Sequence, residues 1–193
     1  MTVWLRRCAS FEEEAEADRD YWSGFAPDER VALIADLRRE WNTMNGINEA
    51  PSRDFTDFLN LLTQHDVKAL IIGAFAVAFH AKPRFTKDLD IFVEATPENA
   101  ERLLRAIDAF GFGALGLTVS DFAPGRVTQL GYPPNRIDLV TSIDGVTFEE
   151  AWTSRVAGKY GAIDVWFIGR NALVRNKAAA ARPQDLMDLA TLR

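Results

Sequence analysis

The sequence predicts an α/β (α+β) protein: a mixed β-sheet flanked by helices, with an acidic helical extension at the N-terminus. Three observations carry this. From residue 52 onward, apolar stripes at helical spacing alternate with short β-rich apolar runs. One such run ends at Gly73 and opens directly into another apolar segment. Two others, Asp88 to Val93 and Arg136 to Ile143, set acids between apolar neighbours, the alternation of a strand with one buried face.

Taken in order, residues 2–8 have the composition of a short strand, and Phe11 to Trp22 reads as an acidic helix. Ala26-Pro27-Asp28-Glu29 starts a second helix, with proline at the first position and acids in the first turn. Leu33, Ile34, Leu37 and Trp41 give it an apolar face. Helix-stopping residues from Asn45-Gly46 to Pro51 mark a boundary between an extension, residues 1–46, and a domain, residues 52–193. Phe55, Phe58, Leu59 and Leu62 then predict an amphipathic helix, Val67 to Ile72 a buried strand, and Ala74 to Ala81 a short helix. Asp88 to Val93 is the next strand. Thr96-Pro97-Glu98 caps and starts a helix with Ala100, Leu103, Leu104, Ile107 and Phe110 on its buried stripe. Strands follow around Arg126–Tyr132 and Arg136–Ile143, a helix over Phe148–Arg155, and a strand over Ile163–Ile168. The rest, from Ala172, is helical with a break at Pro183.

The 193 residues are 48% hydrophobic and 26% charged, the balance of a globular protein with a real core. No apolar run approaches the roughly 18 residues of a membrane span. No secretory signal is visible, and Cys8 is the only cysteine, so an internal disulfide is excluded and a cytoplasmic location is expected. Cys8 reads as a small apolar filler. With two scattered histidines, a zinc site is not expected; His80 reads as a packed, hydrogen-bonded residue and His65 as a surface one. The tryptophans read as core or interface residues. Residues 1–50 hold 11 acids and 6 bases, the rest 17 acids and 16 bases. Neither part has the strongly basic balance of a broad nucleic-acid surface.

The chemistry centres on Lys87-Asp88-Leu89-Asp90-Ile91. On a strand, Asp88 and Asp90 share one face, about 7 Å apart, while Leu89 and Ile91 enter the core. Their mutual repulsion beside an apolar core calls for a cation. Asp138 occupies a similar setting in Arg136-Ile137-Asp138-Leu139-Val140. If the two strands are neighbours, three carboxylates share one face, a donor set suited to Mg2+ or Mn2+ and substrate phosphates. An Asp-x-Asp on a strand also suits a solvated sheet face. Gly73 at a strand end, where backbone amides cradle phosphate, and the bases Arg84 and Lys87 favour the metal–nucleotide reading.

The stretch IIGAFAVAFHAKPRFTKDLDIFV resembles the signature of the DNA polymerase β-type nucleotidyltransferase superfamily. That signature is an apolar residue, glycine, glycine or serine, a spacer, then Asp-x-Asp/Glu between apolar residues. Gly73, Asp88 and Asp90 match it, with 13 residues between Ala74 and Asp88. Ala74 replaces the usual glycine or serine, leaving a backbone amide but no hydroxyl. Asp138 matches the third carboxylate, and the resemblance covers roughly residues 52–193. The C-terminal stretch NKAAAARPQDLMDLATL is similar to the last motif of minimal, toxin-like nucleotidyltransferases related to abortive-infection systems; Lys177, Arg182, Asp185 and Asp188 match it. By spacing alone, Asp185 and Asp188 also fit a solvated helix face.

The resemblance implies transfer of a nucleoside monophosphate from a nucleoside triphosphate to a hydroxyl, releasing pyrophosphate. Asp88, Asp90 and Asp138 would hold two metals, and Asp138 would serve as general base. Gly73 and Ala74 amides, Arg84, Lys87 and Lys177 would contact the nucleotide, with Arg182 and Asp185 bracing the site. The acceptor stays open among RNA, protein and small molecules. The alternative is a catalytically inactive nucleotide- or partner-binding module of the same fold. The acidic extension weakly resembles short helical proteins encoded beside such enzymes. It is expected to pack on the domain, to form a homodimer interface, or to restrain the active cleft as an antitoxin-like partner does.

Overall fold

The computed structural model describes residues 11–46, 55–131 and 136–192. The strand expected at residues 2–8, Cys8 and most of the boundary segment lie outside the described residues. The extension contributes α1 (Phe11–Ser23) and α2 (Pro27–Met44). The domain runs α3 (Phe55–Gln64), β1 (Ala69–Ile71), α4 (Gly73–His80), β2 (Asp88–Val93), α5 (Pro97–Ile107), β3 (Val127–Leu130) and β4 (Arg136–Val140). It ends with α6 (Phe148–Thr153), β5 (Val156–Tyr160), β6 (Ile163–Phe167), α7 (Arg170–Ala180) and α8 (Pro183–Leu192). No described helix is long and apolar enough to cross a membrane.

The strands make one mixed sheet in the order β3-β4-β2-β1-β6-β5. Strands β2 and β4 pair in parallel, as do β1 and β6, and the other pairs are antiparallel. Alternation sends Leu89 and Ile91 of β2 into the core, where both are fully buried. Phe75 and Phe79 of α4 pack on Tyr160 and Phe167 of the β5–β6 hairpin, the latter pair stacked at 4.2 Å. Phe55 and Phe58 of α3 add edge contacts to Phe75 and Phe110. On the Asp90 face, Phe92 is buried against Phe148 of α6. That face is therefore polar at the start of β2 and apolar at its end.

Helix starts follow their sequence signals. Thr96 accepts a hydrogen bond from the Asn99 amide at 3.3 Å, capping α5. Pro27 opens α2, and the Glu29 carboxylate accepts from the Ala26 amide at 2.7 Å.

Two expectations need correction, and one strand was not anticipated. The buried face of α2 is Arg30, Val31, Ile34, Arg38 and Asn42, whereas Leu37 is 45% exposed. Polar side chains win this face because Arg30 donates to the Ala78 and Phe79 carbonyls at the end of α4, and the Arg38 guanidinium lies 3.8 Å over the Phe55 ring. Phe110 belongs to a π turn, Asp108–Phe112, rather than to α5, because the chain kinks at Gly111, whose φ is 97°. Strand β5 had no sequence expectation. It is a mostly exposed edge strand with a central glycine and little alternation.

Candidate active site

The register of β2 and β4 builds the site. Asp90 lies directly opposite Asp138, and Asp88 opposite Arg136. Paired residues share a face, so the three carboxylates expected to converge do lie on one patch of the sheet. Asp138 comes from the short strand Arg136–Val140, whose Ile137 and Leu139 are buried on the other face.

Gly73 closes the patch. It has φ of 62°, a conformation other residues rarely adopt, and a Cβ added there would lie 2.0 Å from Asp90 Oδ2. The turn between β1 and α4 is thus pressed onto the Asp90 carboxylate, and the Ile72 amide donates to the Asp90 carbonyl at 3.0 Å. No side chain caps the start of α4, so the first amides, at Gly73 and Ala74, remain for another acceptor. Ala74 itself is buried, and its methyl packs in the core.

Electrostatics mark Asp90 as the strained member. Burial, then the neighbouring carboxylates of Asp138 and Asp88, push it up to about 6, while Lys177 and Arg84 pull the other way. Asp88 is raised chiefly by burial, against the pull of Arg136. Arg136 is the residue the sequence reading missed. Its guanidinium donates to Asp138 through Nε at 2.8 Å and to Asp88 through Nη2 at 2.8 Å. It supplies the positive charge between two carboxylates. The signal was available: Arg136 is two residues before Asp138, hence on the same face.

The C-terminal residues form a brace beside this patch. Lys177 Nζ contacts Asp185 at 2.7 Å and Asp188 at 2.9 Å, with all three side chains buried. Arg84 grips Asp188 with two hydrogen bonds, at 2.8 and 3.1 Å, and Arg182 Nε bonds Asp185 at 2.6 Å. Burial raises both aspartates, but the bonds from Arg182 and Lys177 to Asp185, and from Arg84 and Lys177 to Asp188, outweigh it and hold both below the usual carboxylate range. The solvated-face reading of Asp185 and Asp188 is overturned, since each is only 2% exposed. Lys177 and Arg84 are engaged by these carboxylates in this structure. Lys87 is exposed and lies 4.3 Å over the Trp41 ring of α2. His80 is a hydrogen-bonded packing residue as read, its Nε2–H donating to the Ile168 carbonyl at 2.7 Å.

Among the described residues, no three His, Cys, Asp or Glu side chains converge tightly enough to hold an ion as they stand. The donor chemistry fits a divalent cation nonetheless: three hard carboxylates on one face, with Asp90 raised by burial and by the other two. Arg136 bridges two of them, Asp88 and Asp138.

A mixed sheet with clustered carboxylates beside a glycine turn defines the class, an α+β protein of the nucleotidyltransferase type. The chain belongs to the family described as "Nucleotidyltransferase of unknown function (DUF6036)", whose family model matches residues 53–192. No curated protein matches the chain.

Proposed function

We propose that the protein is a metal-dependent nucleotidyltransferase that moves a nucleoside monophosphate from a nucleoside triphosphate to a hydroxyl acceptor, with Asp88, Asp90 and Asp138 as its Mg2+- or Mn2+-holding carboxylates. One observation carries the reading: Asp90 faces Asp138 across paired strands while its carboxylate closes on the Gly73 turn. A bound cation would offset phosphate charge and lower the pKa of the attacking hydroxyl. The Gly73 and Ala74 amides hold a phosphate oxygen at the start of α4. Asp138 takes the proton of the acceptor hydroxyl as its oxygen bonds the α-phosphorus and the bond to pyrophosphate breaks. Lys177 and Arg84 act as positioning residues, keeping Asp188 and Asp185 locked while lending positive charge to Asp90.

The residues leave the acceptor class open, and a toxin-like role, an antitoxin-like partner, a homodimer and a cytoplasmic site of action belong to this same proposal. Arg136, lodged between Asp88 and Asp138, favours the second reading, a binding module without turnover. Incubation with each α-labelled triphosphate, Mg2+ or Mn2+ and cell extract separates the two. Label entering RNA, protein or a small molecule supports transfer. Label bound but never transferred supports the module.

A further inference from the structure

A cavity lies where the N-terminal helices meet the domain. It encloses about 650 Å³ between α1, the start of α2, the end of α4 and the base of the α7–α8 hairpin. This size falls in the range of small-molecule pockets. It is separate from the carboxylates. Gly73 and His80 lie at opposite ends of α4, and Lys177 lies two turns along α7 from Arg170 at its start, each pair about 10 Å apart along its helix.

Its lining is cationic in an acidic chain. Arg19, Arg30, Lys82 and Arg170 face it, and Asp18 is the one acid among its described lining residues. Asp18 is engaged by Lys82. Arg30 is buried and spends its guanidinium on carbonyls: Trp22 at 3.1 Å, Phe25 at 2.5 Å, Ala78 at 2.8 Å and Phe79 at 2.6 Å. Among the described residues it has no carboxylate partner. Arg19 and Arg170 are exposed, and their side chains make no hydrogen bond or ion pair with any described residue. Three positive charges thus line one cavity without matching acids among the described residues, in a chain whose net charge is −6. Beside them stand Trp22 and Phe25, with ring centroids 5.4 Å apart. Trp22 is half-buried and lines the cavity.

We infer that this cavity binds a nucleotide, a small anion joining two or more phosphate charges to a planar ring, at a place distinct from the reacting triphosphate. Guanidinium forks match phosphate oxygens in pairs. A single carboxylate would leave most of the positive charge unanswered, whereas a diphosphate answers it. The ring stacks on Trp22. Because the lining comes from both the N-terminal helices and the domain, the bound nucleotide pins the extension to the ends of α4 and α8.

The test uses the full chain in EDTA, so that the carboxylate site carries no divalent cation, with ADP, adenosine and inorganic pyrophosphate as calorimetric probes. ADP is expected to bind at least tenfold more tightly than adenosine or pyrophosphate. The Arg19→Ala/Arg170→Ala double variant, altered only at exposed positions, is expected to lose at least tenfold in ADP affinity. Asp138→Asn is expected to bind ADP as the wild type does. Pyrophosphate binding as tightly as ADP would overturn the nucleotide assignment. Absence of ADP binding, or an unchanged affinity in the double variant, would overturn the site. A failure of nucleotidyl transfer leaves these results untouched, because none of them requires turnover.

Discussion

Asp90 is the residue on which the site's electrostatics turn. Its pKa of about 6 lies above the ordinary 3.8, so its contribution to stability is fully present below about pH 4 and lost as pH rises through 6. Asp90→Asn should therefore raise the melting temperature of the metal-free protein, and more at pH 8 than at pH 4.5. A shift of about two units corresponds to ~3 kcal/mol, or several degrees for a chain of this size. Thermal melts at the two pH values check this, and an equal effect at both would remove the charge explanation. Arg136 is the counterpart. With its guanidinium between Asp88 and Asp138, it competes with any cation for the same carboxylates. Arg136→Gln should lower the Mg2+ concentration that half-saturates the metal-induced rise in melting temperature, by about threefold or more. A higher half-saturating concentration would show that Arg136 helps to assemble the site. Asp88, Asp90 and Asp138 were legible because period-two alternation and a spaced glycine are local signals. The face of Arg136 follows from the same alternation, but its bridge to Asp88 does not, because that depends on which strand lies beside β4.

The elements differ in how openly they announce themselves. Strand β2, the capped start of α5 and the break at Pro183 follow from local chemistry. Strand β5 does not, because an exposed edge with a central glycine carries no apolar alternation. Helix α8 shows a subtler failure. Asp185 and Asp188, three apart, look like a solvated face until α7 brings Lys177 between them. That brace joins the two helices, and removing one member of a buried ion pair costs about 3–5 kcal/mol. Lys177→Met should accordingly lower the melting temperature by roughly 10 °C. A denaturation series would expose the opposite case, a variant as stable as the wild type with altered nucleotide affinity, in which Lys177 serves the substrate directly. The same brace sets an acid limit. With Asp185 and Asp188 held below their usual range, its stabilisation is present above about pH 4 and is lost as pH falls through those lower values.

At the scale of the whole molecule, the extension is not an appended tether. Val31 and Ile34 of α2 join the same buried cluster as the sheet, Arg30 caps the end of α4, and the Lys159 amide of β5 donates to Asp28 at 2.8 Å. Deleting residues 1–46 exposes α4 and orphans the carbonyls that Arg30 satisfies, so the truncated chain should melt at least 10 °C lower or fail to fold. A truncated protein of unchanged melting temperature and higher activity would instead make the extension a restraint. Helix α2 thus supports the platform on which the carboxylates lie, and the central claim about that platform is chemical. Its most direct test gives the protein α-labelled and γ-labelled triphosphate in parallel, with Mg2+ or Mn2+ and cell extract, beside the Asp138→Ala variant. The account predicts that α-label becomes covalently attached to an acceptor while γ-label leaves as pyrophosphate, that EDTA abolishes both, and that Asp138→Ala binds triphosphate without transferring it. Transfer by Asp138→Ala at the wild-type rate, or γ-label appearing on the acceptor, would contradict it.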